Sequence, residues 1–421
     1  MGIKTKLSAM MFVEWFIWGA WFVPLWAYLN GLGFSPSEIA WSYSSTAIAA
    51  IVAPIFVGVI ADRYFAAQKV LAVLHLVGAA LMLYLSKLTS FETFFPVLVI
   101  YACTYMPTIA LTNSIAFSNV EDSEKDFPKI RVLGTIGWIF SGVVVGFLPG
   151  LMGFEDISTT AVPLQITAFA SLVLAAYSLF LPDTPAKKDT KTSVVDILGL
   201  NALGLLKDRS FAAFALCSFL IAAPMAFYYQ FTVGYLTQVG MPSATGWMTL
   251  GQFSEIFAML LLPFFLRRWG IKKVLLIGLL ATGLRYVFFI FGGTDSLLPY
   301  AMLFGGLLLH GISYDFYYVT GYIYVDKKAP AHMRTAAQGL ITLICQGLGS
   351  LLGNWIGGQT MEAMTLAEPI GNITFNWGAT WSIATAMVAV ITVLFLILFN
   401  EKNKDIKPVD LQSGTATPTP A

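Results

Sequence analysis

The apolar stretches of this chain are too long and too numerous for the interior of a globular protein. Hydrophobic residues make up 57% of the sequence and charged residues only 11%, whereas soluble domains carry about 25% charged residues. A bilayer core requires about 20 apolar residues per helix, and the runs between breaks predict twelve transmembrane helices in an all-α membrane protein. The predicted spans are 7–29, 38–61, 68–87, 93–117, 129–151, 161–181, 209–237, 243–266, 272–292, 297–325, 333–359 and 375–400.

The distribution of Lys and Arg tests this count independently, because these residues concentrate in cytoplasmic loops. If the N-terminus is cytoplasmic, all but three of the 24 Lys and Arg residues fall on the cytoplasmic side. The exceptions are Lys87 in an outer loop and Arg131 and Arg285 inside spans. Since one missed helix would destroy this alternation, we predict a multi-pass protein with both termini in the cytoplasm.

The longest cytoplasmic segment divides the predicted spans into six and six. We therefore predict an N-terminal six-helix bundle at 1–181, a cytoplasmic linker at 182–208, a C-terminal six-helix bundle at 209–400 and a disordered cytoplasmic tail at 401–421. Two parallel halves of this kind are typical of secondary transporters that work by alternating access.

The loop after the second span resembles the start of a loop motif of the major facilitator superfamily. Gly58, Asp62 and Arg63 carry the resemblance, which implies a conformational latch on the cytoplasmic side. The match is partial, because Tyr64 and the apolar residues after it replace the usual glycine and basic residues. The alternative interpretation is a helix-end Asp–Arg pair positioned only by the preference of basic residues for the cytoplasm.

Among the charged residues of the predicted spans, five stand out, because a charge inside a bilayer costs at least a few kcal/mol unless it faces water or an opposite charge. They are Glu14, Arg131, Glu255, Arg285 and Asp315. The last three come from consecutive spans of one half and lie at comparable depth. We hypothesise that Asp315 or Glu255 carries a coupling proton with Arg285 as counter-charge. A static ion pair between helices is the alternative.

The fifth span carries a cation, a hydroxyl and an indole on one helical stripe. Arg131, Thr135 and Trp138 follow the spacing i, i+4, i+7, and together they could line a site for a polar organic molecule. Alternatively, Arg131 extends toward the cytoplasmic surface. Glu14 could line a cavity or pair with Arg131, and the sequence does not decide between these possibilities.

The tenth span is rich in tyrosine and contains one of the three histidines of the chain. His310, Tyr314 and Tyr317 follow the spacing i, i+4, i+7, which predicts that they share a face of the helix. His310 could join a proton relay, or it could simply be satisfied by a neighbouring helix.

Several stretches spread over most of the chain resemble the nucleoside:proton symporter family of the major facilitator superfamily. They are Trp18-Gly19-Ala20-Trp21, Tyr105-Met106-Pro107-Thr108, the run from Phe127 to Gly137, Ser254-Glu255, Pro263-Phe264-Phe265-Leu266, Tyr314-Asp315-Phe316 and Ala336-Ala337-Gln338-Gly339. The resemblance implies a proton-coupled nucleoside importer of the bacterial cytoplasmic (inner) membrane. It also implies a substrate site that includes Arg131, Thr135, Trp138, Gln252, Glu255, Asp315 and Phe316, between the two halves.

Other functions remain open alternatives at this stage. A proton-coupled sugar or polyol symporter of the same fold would also use carboxylates and indoles. A membrane enzyme acting on lipid-linked sugars should instead carry a catalytic acid or metal ligands near a membrane surface, and we predict no catalytic residues and no metal site. We expect no cofactor, with protons as the coupling ion. We also expect lipids as partners, a monomer, and no nucleic-acid partner because the net charge is only +1.

Overall fold

A computed structural model describes residues 2–56, 65–185, 195, 198–366 and 374–400 of the chain. The predicted latch residues Gly58, Asp62 and Arg63 lie outside the described residues, as do the tail at 401–421 and residues 186–194, 196 and 197 of the predicted linker. The described residues belong to two compact units. One is drawn from Met1–Phe34 and Ser42–Leu200, and the other from Ser35–Trp41 and Asn201–Val409.

The first unit is helical, and most of its helices are long enough to cross a membrane. Its third helix begins with residues that group with the second unit. The helices are α1 (Ile3–Phe22), α2 (Leu25–Gly31), α3 (Pro36–Phe56), α4 (Ala67–Leu85), α5 (Phe91–Ser118), α6 (Ser123–Gly142), a π-helical turn (Val143–Phe147), α7 (Leu148–Leu151), a 3-10 turn (Ile157–Thr159) and α8 (Val162–Ser178).

The second unit is also helical and includes one short β-hairpin. In the hairpin, Thr365 pairs with Phe375 in antiparallel register. The elements are a 3-10 segment (Leu200–Lys207), α9 (Arg209–Gln238), α10 (Ala244–Trp247), α11 (Thr249–Ile290), α12 (Leu297–Tyr314), a π-helical turn (Asp315–Val319), α13 (Thr320–Lys328), a 3-10 turn (Ala331–Met333), α14 (Arg334–Thr342), a second π-helical segment (Leu343–Gly349), α15 (Ser350–Ala363), β1 (Thr365–Leu366), β2 (Thr374–Phe375) and α16 (Trp377–Leu398).

The described helices account for the predicted spans. Nine of them are long and apolar enough to cross a membrane, and one of the nine contains two predicted spans because α11 changes direction at Gly270, where φ is 75°. A backbone with positive φ suits glycine, which has no side chain to clash. With α3 and the shorter apolar helix α8, the described residues supply a helix for each predicted span, and the all-α membrane fold is confirmed.

Polar side chains cap the N-termini of several of these helices by accepting hydrogen bonds from free backbone N–H groups. Asp122 accepts from the N–H of Lys125 at the start of α6, and Asp208 accepts from the N–H of Phe211 at the start of α9. Such caps stabilise helix starts because the first four N–H groups have no partner inside the helix. They explain why the apolar runs become helices at these points.

The π-helical turn at Asp315–Val319 corrects the predicted face of the tenth span. Tyr314 packs on Tyr318, with ring centroids 5.3 Å apart. Tyr317 instead reaches α9, where its hydroxyl lies 3.2 Å from that of Ser218. A π-turn accommodates one extra residue, so α-helical spacing across Asp315 places later side chains on the wrong side. Only His310 and Tyr314 remain neighbours, at 5.9 Å.

Candidate functional site

In the first unit, Arg131 and Trp138 of α6 meet the tryptophans of α1. The guanidinium carbon of Arg131 lies 4.0 Å from the centroid of the Trp15 ring. Trp138 packs against the same ring at 6.4 Å and against Trp18 at 5.5 Å. A guanidinium over an indole face is a cation–π contact. These residues therefore form one group, which we call the Arg131 group: Trp15, Trp18, Arg131 and Trp138.

The residues of the Arg131 group meet because α1 and α6 approach each other closely. A Cβ atom at Gly137 would lie 2.1 Å from the backbone oxygen of Phe12, so no larger residue fits without moving a helix. Thr135, on the same helix, is partly exposed. The group combines a cation with aromatic faces, which is chemistry that can bind a flat, polar ring.

In the second unit, Arg285 of α11 is fully buried. Its guanidinium carbon lies 4.2 Å from the centroid of the Tyr228 ring, and His310 stacks on the same ring at 4.8 Å. None of the three guanidinium nitrogens has a hydrogen-bond partner among the described residues. The positive charge therefore rests on an aromatic face within the membrane-spanning part of the protein.

Asp315 is also fully buried, and neither of its carboxyl oxygens has a hydrogen-bond partner among the described residues. The half-buried carboxyl of Glu255 in α11 acts on it electrostatically. The structure thus brings Glu255 and Asp315 into one electrostatic environment. It does not join Arg285 and Asp315 by a direct hydrogen bond, and the counter-charge role of Arg285 stays a prediction.

Gln252 and Phe316 complete the predicted residues of this unit. Gln252 is buried one turn before Glu255 on α11. Phe316 is 3% exposed and packs in an apolar cluster with Ala258, Leu262 and Val274. Its contacts are those of a residue that holds helices together, and its predicted role in substrate binding stays a prediction.

Three residues of these surroundings were not identified as partners from the sequence. The ring of Trp15 forms a cation–π contact with Arg131, and that of Tyr228 forms one with Arg285. His75 pairs with Glu14 at 2.9 Å. The sequence signals were weak: a tryptophan-rich first span, tyrosines after a proline in the seventh span, and a lone histidine in an apolar helix. The sequence did not decide whether Glu14 pairs with Arg131, and in the structure its carboxyl pairs with His75 of α4.

Long apolar helices make this chain a multi-pass membrane protein, and its structural match to a solved transporter identifies the major facilitator fold. The crystal structure of the nucleoside transporter NupG superposes with a TM-score of 0.85 at 31% sequence identity, covering 96% of this chain and 100% of that one. Residues 1–404 match the family described as Nucleoside H+ symporter, and the chain belongs to that family.

Two relatives from Escherichia coli (strain K12) are similar over almost their whole length. YegT is 62% identical over 410 residues, which is 97% of this chain and 96% of that protein. The nucleoside permease NupG is 31% identical over 435 residues, which is 99% of both chains. The family, the fold and these relatives all point to transport and not to catalysis.

Proposed function

We propose that this protein imports nucleosides together with protons across the bacterial cytoplasmic membrane by alternating access, with both termini in the cytoplasm. Membership of the nucleoside H+ symporter family supports the substrate class and the coupling ion. The observation that carries the mechanism is the fully buried Asp315 carboxyl, which has no hydrogen-bond partner among the described residues. An ionised carboxylate in such a place costs far more free energy than a neutral one.

Asp315 is the proposed carrier of the coupling proton. A carboxyl that is shielded from water holds its proton, and it releases the proton when water reaches it. Glu255 acts on the same group, because two nearby carboxylates cannot both be ionised without repulsion. Proton binding and release at Asp315 would therefore follow the opening of the protein to one side of the membrane or the other.

The Arg131 group and the polar residues of α11 are the proposed nucleoside contacts. Trp15 and Trp138 present aromatic faces that can stack on a base, and Arg131 can donate hydrogen bonds to base oxygens or ring nitrogens. Gln252 and Glu255 can hydrogen-bond ribose hydroxyls.

The competing assignment is a sugar or polyol symporter of the same fold. The family match and the likeness to NupG favour nucleosides, because they cover almost the entire chain. Aromatic faces and carboxylates by themselves would suit a sugar as well.

Counterflow in proteoliposomes tests the proposal. Vesicles loaded with unlabelled uridine should take up radiolabelled uridine, and an inwardly directed proton gradient should drive accumulation of uridine into empty vesicles. Unlabelled nucleosides should compete, whereas glucose, maltose and sorbitol should not. Exchange of a sugar without exchange of any nucleoside would overturn the assignment, and nucleoside exchange that ignores the gradient would overturn the coupling.

A further inference from the structure

A second buried carboxyl lies in the first unit, away from the charged residues of α11 and Asp315 in sequence and in unit. Glu14 of α1 is fully buried, and its Oε2 atom lies 2.9 Å from Nε2 of His75 in α4, which is 1% exposed. Glu14 is about 17 Å along its helix from Ile3, and His75 is near the middle of α4. An acid and an imidazole in hydrogen-bond contact are thus enclosed within membrane-spanning helices.

The other oxygen of Glu14 contacts a hydroxyl that can form a hydrogen bond with either the ionised or the protonated carboxyl. Thr108 Oγ1 lies 2.6 Å from Glu14 Oε1 and 2.5 Å from the backbone oxygen of Tyr105. When Glu14 is ionised, the hydroxyl can donate to it. When Glu14 is protonated, it can donate to the hydroxyl, which then donates to the carbonyl. The imidazole is equally adaptable, since each ring nitrogen can be a donor or an acceptor.

Both partners of the carboxyl therefore tolerate the gain or loss of a proton without leaving a polar atom unpaired. A purely structural carboxylate is commonly held by groups that can only donate, such as backbone N–H groups or arginine. We propose that Glu14 and His75 form a second proton-binding site of this transporter, separate from Asp315.

The pair has a direct connection to the Arg131 group. The hydroxyl of Tyr105 donates to the backbone oxygen of Glu14 at 2.7 Å, and its ring packs on Trp18 at 6.0 Å. The residue after Glu14 is Trp15, whose ring forms the cation–π contact with Arg131. A change of hydrogen bonding at Glu14 therefore reaches the aromatic faces proposed to bind the base, and by linkage the base would affect proton affinity equally.

Few other titratable or charged groups act on the pair. From α5, Tyr101 and Tyr105 face Glu14, and from α6, Arg131 acts on Tyr105. On α8, the hydroxyl of Tyr177 meets the backbone of Lys6, two turns of α1 away.

Histidine-selective NMR of the full chain in lipid nanodiscs tests the site without any nucleoside. The chain has three histidines, and His75→Gln identifies the His75 signal. This signal is followed from about pH 8 to 5, and proton binding at the pair should change it. Glu14→Gln keeps a hydrogen-bonding side chain but removes the charge, so it should lower the cationic fraction of His75 throughout that range.

A second variant covers the case in which Glu14→Gln does not fold. Thr108→Val removes a donor from the carboxylate and keeps both titratable groups, so it should change the His75 titration in the same direction but less. His332→Gln is the matched control, since it removes a histidine elsewhere in the chain and should leave the His75 signal unchanged. A His75 signal that is constant over this pH range, or that ignores both changes near it, would overturn the proposal.

A binding measurement then tests the connection to the Arg131 group, and this arm depends on the proposed function. In an Asp315→Asn background, uridine affinity should still differ by at least about fivefold between pH 5 and pH 8. Adding Glu14→Gln should remove that difference. A pH-independent affinity in Asp315→Asn would refute the connection, whereas absence of any nucleoside binding would instead contradict the proposed function.

Discussion

The guanidinium carbon of Arg285 lies 4.2 Å from the centroid of the Tyr228 ring, and both side chains are fully buried. None of the guanidinium nitrogens of Arg285 has a hydrogen-bond partner among the described residues. A desolvated cation–π contact contributes about 2 kcal/mol or more. The tyrosine ring is therefore the main described support for a charge inside the second unit.

Substitutions at Tyr228 should separate the ring from its hydroxyl. Tyr228→Leu removes the aromatic face, and we expect it to destabilise the protein by about 2 kcal/mol and to lower the melting temperature. Tyr228→Phe keeps the face and loses only a hydroxyl that has no hydrogen-bond partner among the described residues, so it should be neutral or slightly stabilising. Thermal unfolding in detergent compares the two, and equal effects would show that the ring does not support Arg285.

Removal of the Asp315 charge should separate coupling from binding. Asp315→Asn cannot exchange a proton, so proton-driven accumulation of uridine should be lost while counterflow remains. Asp295→Asn makes the same chemical change in the exposed segment between α11 and α12 and should leave both activities intact. Uptake into proteoliposomes with a pH gradient is the measurement. Undiminished accumulation by Asp315→Asn would remove this residue from the coupling role.

A glycine of α11 should be intolerant of even one methyl group. A Cβ atom at Gly278 would lie 2.7 Å from the backbone nitrogen of Tyr317, and backbone cannot move aside as a flexible side chain can. We expect Gly278→Ala to cost about 1–3 kcal/mol through overpacking. Gly283→Ala is the matched control in the same helix, because its nearest neighbour would be 3.4 Å away. Equal melting temperatures for the two variants would contradict this packing.

The start of α9 should respond to acid. Burial acts to raise the pKa of Asp208, but hydrogen bonds from the N–H of Phe211 and from Lys328 prevail, and its pKa lies below the usual value. The stability that this lowered pKa contributes is complete above the unfolded pKa of about 3.9 and is lost as pH falls through the lower folded value.

Variants at Asp208 should show this pH dependence. Asp208→Ala removes the helix cap and should cost about 1 kcal/mol near neutral pH. Asp208→Asn keeps a capping oxygen and loses only the ion pair with Lys328, whose groups are 23% and 44% exposed, so it should cost a few tenths of a kcal/mol. Melting temperatures measured against pH check both. A cost of Asp208→Asn that persists in strong acid would contradict the assignment.

Hydropathy and the alternation of basic loops were sufficient to predict the helices, because each span must satisfy its own backbone in lipid. The stripe of Arg131 and Trp138 followed from helical spacing, since α6 is regular through Gly142. The tenth span was predicted less well. Its turn at Asp315 is π-helical, and no residue pattern marks where an extra residue enters a helix.

Partners between distant segments also escaped prediction. Glu14 and His75 are 61 positions apart, and a lone histidine in an apolar helix has no sequence feature that names its neighbour. Tyr228 and Arg285 belong to different helices, and their contact depends on how α9 and α11 rotate about their axes. Periodicity predicts which residues share one helix face, but it does not predict what that face meets.

The π-turn at Asp315 has a consequence for how this helix can vary. Because the turn holds one residue more than an α-helical turn, the segments before and after it differ in phase by about 100°, one residue's rotation. Conversion of this turn to α-helical geometry with no residue removed would therefore rotate every side chain from Thr320 to Lys328 around the axis, whereas deletion of one residue between Asp315 and Val319 would restore a regular helix and keep their present orientation. The aspartate and the C-terminal end of its helix are thus set in register by a single surplus peptide unit.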